Sequence, residues 1–277
     1  MQQPIDVLDA VKAMKAAGEP FALATVVRTV ALTAAKAGAK ALIRRDGSVS
    51  AGWIGGGCAQ AAVVKAARAA LRDGRPRLIS VQPTDALADL GVVSGQSKAG
   101  VEFASNLCPS QGSMDIFIEP VLPRPELVIA GSSPVAVALA DLAPRLGFAV
   151  IVCAPAEEQR AFAEVDRRIE SYQLSSQAGR SRFIVVSTQG RGDETALSAA
   201  LAVDSDYIAF VGSRRKAEAL RTILAERGID PARLANLRAP AGLDLGAIAP
   251  EEIALSILAE IIQRRRSGHP RGQIPPA

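Results

Sequence analysis

The feature that most restricts the fold is a change of rhythm at Val121-Leu122-Pro123-Arg124-Pro125-Glu126. Proline continues neither a helix nor a central strand, so Pro120, Pro123 and Pro125 mark a linker. Beyond it, short apolar runs at residues 127–130, 148–153, 183–187 and 207–211 read as buried strands, and a helix is expected over 136–146. Strands alternating with helices imply a parallel sheet with helices on both faces. This half is therefore expected to be a Rossmann-like, doubly wound α/β domain over residues 123–266.

Before the linker the pattern differs. Val7, Leu8, Val11 and Met14 place an apolar stripe on a helix over residues 5–17, closed by Gly18. Residues 21–30 and 39–43 read as strands, with a turn at Arg45-Asp46-Gly47. A glycine-rich loop over 52–57 leads into an alanine-rich helix from Cys58 to about Arg72, and 77–81 and 116–120 read as further strands. Residues 1–122 are thus expected to form a small mixed α+β domain.

Composition excludes several classes. Aromatic residues make up 4% of the chain, too few for the stacking platforms of single-stranded nucleic-acid binders. The net charge of +4 is concentrated at the C-terminal end, where Arg264, Arg265, Arg266 and Arg271 follow the last acid, Glu260. The body is nearly neutral, no nucleic-acid partner is expected, and the arginine-rich end is expected to be a disordered tail, formally residues 267–277. No apolar run is long enough for a membrane span, and the N-terminus lacks a signal-peptide layout. The three cysteines, Cys58, Cys108 and Cys153, lie far apart, which argues against a disulfide framework and for a cytoplasmic location.

Three segments, together with a second cysteine, carry candidate chemistry. In the first, Gly55, Gly56 and Gly57 let a ligand approach the backbone, and their N–H groups can cradle an anion at the start of the following helix. Cys58 sits at that helix start, where the helix dipole favours a thiolate. An anion cradle beside a soft thiolate suits a ligand with phosphate and a soft metal or sulfur centre. The other reading is a glycine turn followed by a cysteine packed as a small apolar side chain. Cys108, in Leu107-Cys108-Pro109-Ser110-Gln111-Gly112, is open to the same two readings. The single histidine, His269, lies in the tail, so neither a zinc site nor a Cys–His catalytic pair is expected.

The second segment, Gly131-Ser132-Ser133-Pro134-Val135, stands where a dinucleotide fingerprint would, but Ser133 replaces its second glycine. The next strand ends at Cys153-Ala154-Pro155 without the acid that binds a ribose; Glu157 and Glu158 follow a turn later. Weak or no NAD binding is expected, with FAD the more credible dinucleotide. In the third, Gly212 and Ser213 precede three cations, Arg214, Arg215 and Lys216, on the first turn of a helix. Cations oppose the dipole there, so an anion or acidic partner is expected to meet them.

Together, DGSVSAGWIGGGCAQ (46–60), FIEPVLP (117–123), VGSRRK (211–216) and APAGLDLGAIAPEEIALSILAEI (239–261) resemble the XdhC/CoxI/CoxF family of molybdenum-hydroxylase accessory proteins. The resemblance runs from about residue 5 to 266. It implies a cofactor-maturation chaperone rather than a metabolic enzyme. Such a protein would bind the molybdenum cofactor, in its cytosine dinucleotide form among others, and assist its sulfuration or insertion. The implied partners are a molybdenum hydroxylase client, such as xanthine dehydrogenase or aerobic carbon monoxide dehydrogenase, and a sulfur or metal donor; a homodimer is also compatible. Cys58 falls on the family's glycine-glycine-cysteine motif and Cys108 on its second cysteine. Departures lie in the second half: GSSPVA stands where the family reads like GAGHVA, Thr188-Gln189-Gly190-Arg191-Gly192-Asp193-Glu194 where it carries THDHE-like histidines, and Arg238 at a position often held by histidine.

Three functions follow as expectations. The first is a cofactor chaperone, with the cofactor held in one cleft by 55–58 and 131–135 and its charged end met by Arg214 and Arg215. The second is a carrier in which Cys58 and Cys108 hold Cu(I) for a copper–molybdenum site. The third is an oxidoreductase with FAD or NAD(P) on the Rossmann-like half.

Overall fold

The computed structural model describes residues 6–31, 33–106, 111–175 and 181–267, with the backbone alone for Cys58 and Ser267. The chain divides into two compact units, Met1–Pro123 and Arg124–Ala277.

In the first unit the order is α1 (Val7–Ala17), β1 (Phe21–Val30), β2 (Lys40–Arg44), β3 (Val49–Gly52), α2 (Gly57–Asp73), β4 (Arg77–Pro83), α3 (Thr84–Asp89), β5 (Ser97–Lys98), β6 (Val101–Asn106) and β7 (Ser113–Val121). Asp6 caps α1 by accepting the Leu8 N–H at 2.7 Å, and Gly18 closes it in the left-handed conformation that favours glycine. The strands form one seven-stranded sheet, β3-β2-β1-β7-β4-β6-β5. All its pairings are antiparallel except β4 with β6. Helix α2 packs the small side chains Ala59, Val63, Ala66, Ala67 and Ala70 against Ala24, Ile79 and Ile116 of the sheet. Alanine lets a helix sit close to a sheet, which is how so few aromatic residues still give a dense core. Met14 of α1 covers Phe21 and Leu42 on the other face. This is the mixed α+β unit that the sequence predicts.

Helix α3 and strands β3, β5 and β6 go beyond the predicted elements. All six residues of β6 are half-buried, so VEFASN shows neither a buried run nor a clean alternation.

The second unit runs β8 (Glu126–Ala130), α4 (Pro134–Leu142), β9 (Ala149–Cys153), β10 (Arg167–Ile169), β11 (Arg182–Val186), α5 (Asp193–Ala202), β12 (Tyr207–Phe210), α6 (Arg214–Glu226), α7 (Pro231–Ala235), β13 (Leu237–Arg238) and α8 (Pro250–Ser267). Its sheet is wholly parallel, in the order β10-β9-β8-β11-β12-β13. That arrangement is consistent with a Rossmann-like fold. Along β8, Leu127 and Ile129 pack with α4 and α8, and the intervening Val128 and Ala130 pack with α5, α6 and α7. Burial on both faces explains the uninterrupted apolar runs. Phe148 and Phe183 meet edge to face at 5.7 Å in the first of these cores, each worth about 1.5–3 kcal/mol of burial.

One ion pair is sealed inside this unit. Arg182 at the start of β11 donates to Glu126 at the start of β8 at 2.7 Å, and both side chains are under 5% exposed. The two residues are register partners, so the pair pins the strands.

Two expectations are corrected. The helix over 136–146 is α-helical only to Leu142 and continues as a 3-10 turn through Leu146, because Pro144 cannot continue an α-helix. The arginines at 264–266 belong to the last turn of α8, not to a disordered tail. Cations there complement the helix dipole, and Arg265 stacks over the Phe148 ring at 5.3 Å. His269 and Arg271 lie outside the described residues.

Candidate functional site

The glycine loop of the first unit is anchored and then left open. Gly52 has φ +76°, and a Cβ there would overlap the Lys40 carbonyl oxygen. Ile54 is buried in the core, while Trp53 beside it is 55% exposed. Gly55, at φ +119°, packs against Met114. Gly56 is the N-cap of α2 and offers no capping side chain, and the first turn carries no acid. A Cβ on Gly56 or Gly57 would meet nothing within 4 Å. The helix start thus presents backbone N–H groups and the positive end of a dipole toward open space, a setting that suits an anion. Cys58 is the second residue of α2.

A groove of about 830 Å³ begins at Gly57 and is lined along α2 by Gln60, Val64, Lys65, Arg68 and Arg72. Arg77 at its side pairs with Asp73 at 2.7 Å and with Glu102 at 3.0 Å. The Arg68 guanidinium donates to the Asp46 carbonyl. Lys65 and Arg72 make no ion pair among the described residues, so the groove has cationic character. The second candidate cysteine, Cys108, lies outside the described residues, together with Leu107, Pro109 and Ser110. Among the described residues no group of three or more histidine, cysteine or acidic side chains is arranged to hold a metal ion.

The turn after β8 in the second unit is built the other way. Gly131 has φ +110°, its N–H donates to the Cys153 carbonyl at 2.9 Å, and a Cβ there would overlap the Ser187 carbonyl oxygen. Ser133 caps α4: its hydroxyl accepts the Ala136 N–H at 3.1 Å and pairs with the Ser187 hydroxyl at 2.5 Å. Pro134 is the first helical residue and has no N–H, and Val135 turns into the core. Ser132 donates to the carboxylate of Glu158.

Asp193 accepts hydrogen bonds from Thr188 and from the Gly190 N–H, and pairs with Lys216. Burial opposes its ionisation, but these donors outweigh it and hold the carboxyl below its usual range. One cation of the basic start of α6, Lys216, is therefore met by an acid of the chain's own. Gly212 leaves room for the Phe210 ring, and Ser213 caps α6 by accepting the Lys216 N–H at 3.3 Å. Arg214 and Arg215 stay exposed, without an ion pair among the described residues. Cys153 is fully buried, which pushes its thiol up to about 12 and leaves it inert. The 239–247 loop is tied to α8 by Glu260, which accepts from the Tyr207 hydroxyl at 2.6 Å and from the Gly242 N–H at 2.9 Å.

Hydrogen bonds and ion pairs bring the 131–135 turn, the 187–193 loop and Lys216 together at the carboxyl ends of β8, β11 and β12. Glu158, Asp193 and Thr188 join this edge without having been singled out from the sequence. Their signal was the acid of Glu157-Glu158 past the second strand, and Thr188 and Asp193 within the segment where histidines were expected.

A family model described as the XdhC Rossmann domain matches residues 127–261, and one described as the XdhC and CoxI family matches residues 14–82. Among curated proteins, the uncharacterized protein YqeB of Escherichia coli (strain K12) is 31% identical over 88% of this chain and 43% of its own length. A protein of Bacillus subtilis (strain 168) described as a probable xanthine dehydrogenase subunit is 30% identical over 55% of this chain and 46% of its own. The chain thus spans less than half the length of either relative. A solved structure described as a xanthine dehydrogenase from Bacillus halodurans aligns over 98% of both chains, at 18% identity and a TM-score of 0.45. Among the described residues no helix is long and apolar enough to cross a membrane. With one family model matching within each unit, the chain belongs to the XdhC and CoxI family.

Proposed function

We propose that this protein is an accessory factor in the maturation of a molybdenum hydroxylase, and that it holds the molybdenum cofactor at the start of α2. Family membership supports the accessory role, and the relative named as a probable xanthine dehydrogenase subunit supports the class of client. The observation that carries the site is the uncapped start of α2, open at Gly56 and Gly57 and continuous with a groove lined by Lys65 and Arg72. Those residues fit a ligand with a phosphate at one end. The N–H groups of the first turn would bind its phosphate, Lys65 and Arg72 would balance further negative charge along the groove, and Cys58 would stand beside the metal-bearing end. When bound, the cofactor supplies the metal and its sulfur ligands; the chain's part is to hold and orient it. In this reading the second unit is a doubly wound scaffold, because apolar clusters flank both faces of its sheet.

The test is Cys58→Ser and, separately, Lys65→Ala with Arg72→Ala. Each variant is purified with its metal content and absorbance spectrum recorded, and client activity is measured in cells producing it. Molybdenum in the wild type, lost in the variants together with client activity while circular dichroism is unchanged, is the expected result. A yellow flavin spectrum, copper in place of molybdenum, or full client activity with Cys58→Ser would overturn the assignment.

A further inference from the structure

We propose that Glu158 sets the specificity of the second unit, by holding a carboxylate where the phosphates of a nucleotide would otherwise meet the Gly131 turn. A turn of this kind binds pyrophosphate when its backbone N–H groups point freely at the ligand from a helix N-terminus. Here three of those positions are engaged or missing. The Ser133 N–H donates to the Ser187 carbonyl at 3.3 Å, the Ala136 N–H to the Ser133 hydroxyl at 3.1 Å, and Pro134 has none. Ser132, at the tip of the turn, donates its hydroxyl to Glu158, which brings a carboxylate to the mouth of the site.

That carboxylate is held firmly. Glu158 opens the 3-10 turn Glu158–Ala161. The next residue, Gln159, is buried and donates to the Ala154 and Ile169 carbonyls at 2.8 and 2.7 Å. These bonds tie the turn to the ends of β9 and β10, so Glu158 does not ride on a loose surface loop. Lys216, the nearby cation that could draw a phosphate in, pairs with Asp193. A like charge at the mouth of an anion site suppresses binding rather than merely failing to assist it. The sequence lacks an acid at the end of the second strand; the structure supplies one through space and turns it onto the glycine turn. There it opposes the phosphates, where a strand-end acid would bind the ribose. The second unit is thereby left to ligands without phosphate near the turn. This inference rests on the second unit alone and is independent of the cofactor site on α2.

The experiment titrates the full chain, as wild type, Glu158→Gln and Glu158→Ala, calorimetrically with ADP and with adenosine. Thermal melts followed by circular dichroism check the fold, and the isosteric Gln variant keeps the test open should the Ala variant fail to fold. ADP is expected to bind the wild type only at millimolar concentration. Both variants should tighten ADP by at least about ten-fold, while adenosine changes by less than about two-fold, because charge acts on the phosphates alone. Micromolar ADP binding by the wild type that the variants weaken would make Glu158 a ribose ligand and overturn the proposal. Equal gains for ADP and adenosine would overturn it by showing that the substitution merely opens space. Unchanged ADP affinity would overturn it by showing that this charge does not decide the selectivity.

Discussion

At the start of α2, no side chain caps the helix and two glycines have nothing within reach of an added Cβ. At the start of α4, a serine caps the helix, a proline stands at its first position, and an added Cβ on Gly131 would run into the Ser187 carbonyl. Both are glycine turns that lead a strand into a helix. In the first, the glycines leave room outward, for something other than the chain. In the second, Gly131 leaves room inward, for the chain's own backbone at Ser187, and the Ser133 and Ser187 hydroxyls satisfy one another. Glycine content alone does not mark a binding turn. What matters is whether the N–H groups it exposes already have partners, and in this molecule the two turns give opposite answers.

The contrast is sharpest at Gly131. Gly131→Ala is expected to cost about 3 kcal/mol or more, since φ +110° is strained for alanine and its Cβ meets backbone that cannot move aside. Urea denaturation reads this directly, and a wild-type midpoint would show that the second turn is not closed.

The next effect comes from the acid that closes the same edge. The folded carboxyl of Asp193 lies below its usual range: burial opposes ionisation, and hydrogen bonds from Lys216, Thr188 and Gly190 outweigh it. Its stabilisation is therefore complete above the unfolded value near 4 and is lost as pH falls through the lower folded value. Because Lys216 is 41% exposed and screened by solvent, Asp193→Asn should cost only about 1 kcal/mol at neutral pH. Its denaturation midpoint should fall less steeply than the wild type's as pH drops below about 4. Parallel curves would detach Asp193 from the stability of this edge.

Removing the residues after Ile262 takes away the contact of Arg265 with Phe148, and a loss of about 0.5–1 kcal/mol, seen as a melting temperature lower by a few degrees, is expected. An unchanged melt would restore the sequence reading of a detached tail.

The smallest effect belongs to the open turn. Gly57→Ala should change stability by no more than about 0.5–1 kcal/mol, and toward greater stability, because alanine is the better helix former and the space is empty. A large destabilisation would mean that the first turn is packed as tightly as the second.

The elements whose periodicity is dictated by burial were legible in the sequence. β1 is predicted over its whole length, and the strands from β8 to β12 that lie in the middle of the parallel sheet announce themselves as apolar runs. Edge elements were not: β10 reads Arg167-Arg168-Ile169 and is largely exposed, and β13 is two residues long. Neither carries a pattern, since an edge strand is covered on fewer sides. At the candidate site, the open glycines and the capping role of Ser213 could be inferred from residue type. Glu158 could not be placed, because its contact with Ser132 joins residues 26 apart through a turn with no periodic signature. Asp193 was visible only as part of a segment lacking histidines; that it pairs with Lys216 of α6 depends on two separate strands ending side by side.

The sealed pair of Glu126 and Arg182 has a consequence for how the second unit comes into being. The guanidinium that Glu126 meets in the folded sheet lies 56 residues later in the chain. During synthesis, β8, α4, β9 and β10 leave the ribosome before β11 does. Parallel strands gain their long-range contacts late, after the intervening loops are closed. A carboxylate destined for the interior resists desolvation until its counterion arrives. The early half of the unit is therefore expected to stay open until β11, in the middle of the sheet, has emerged. The unit is accordingly expected to become protease-resistant in nascent chains only once residues past 182 have emerged.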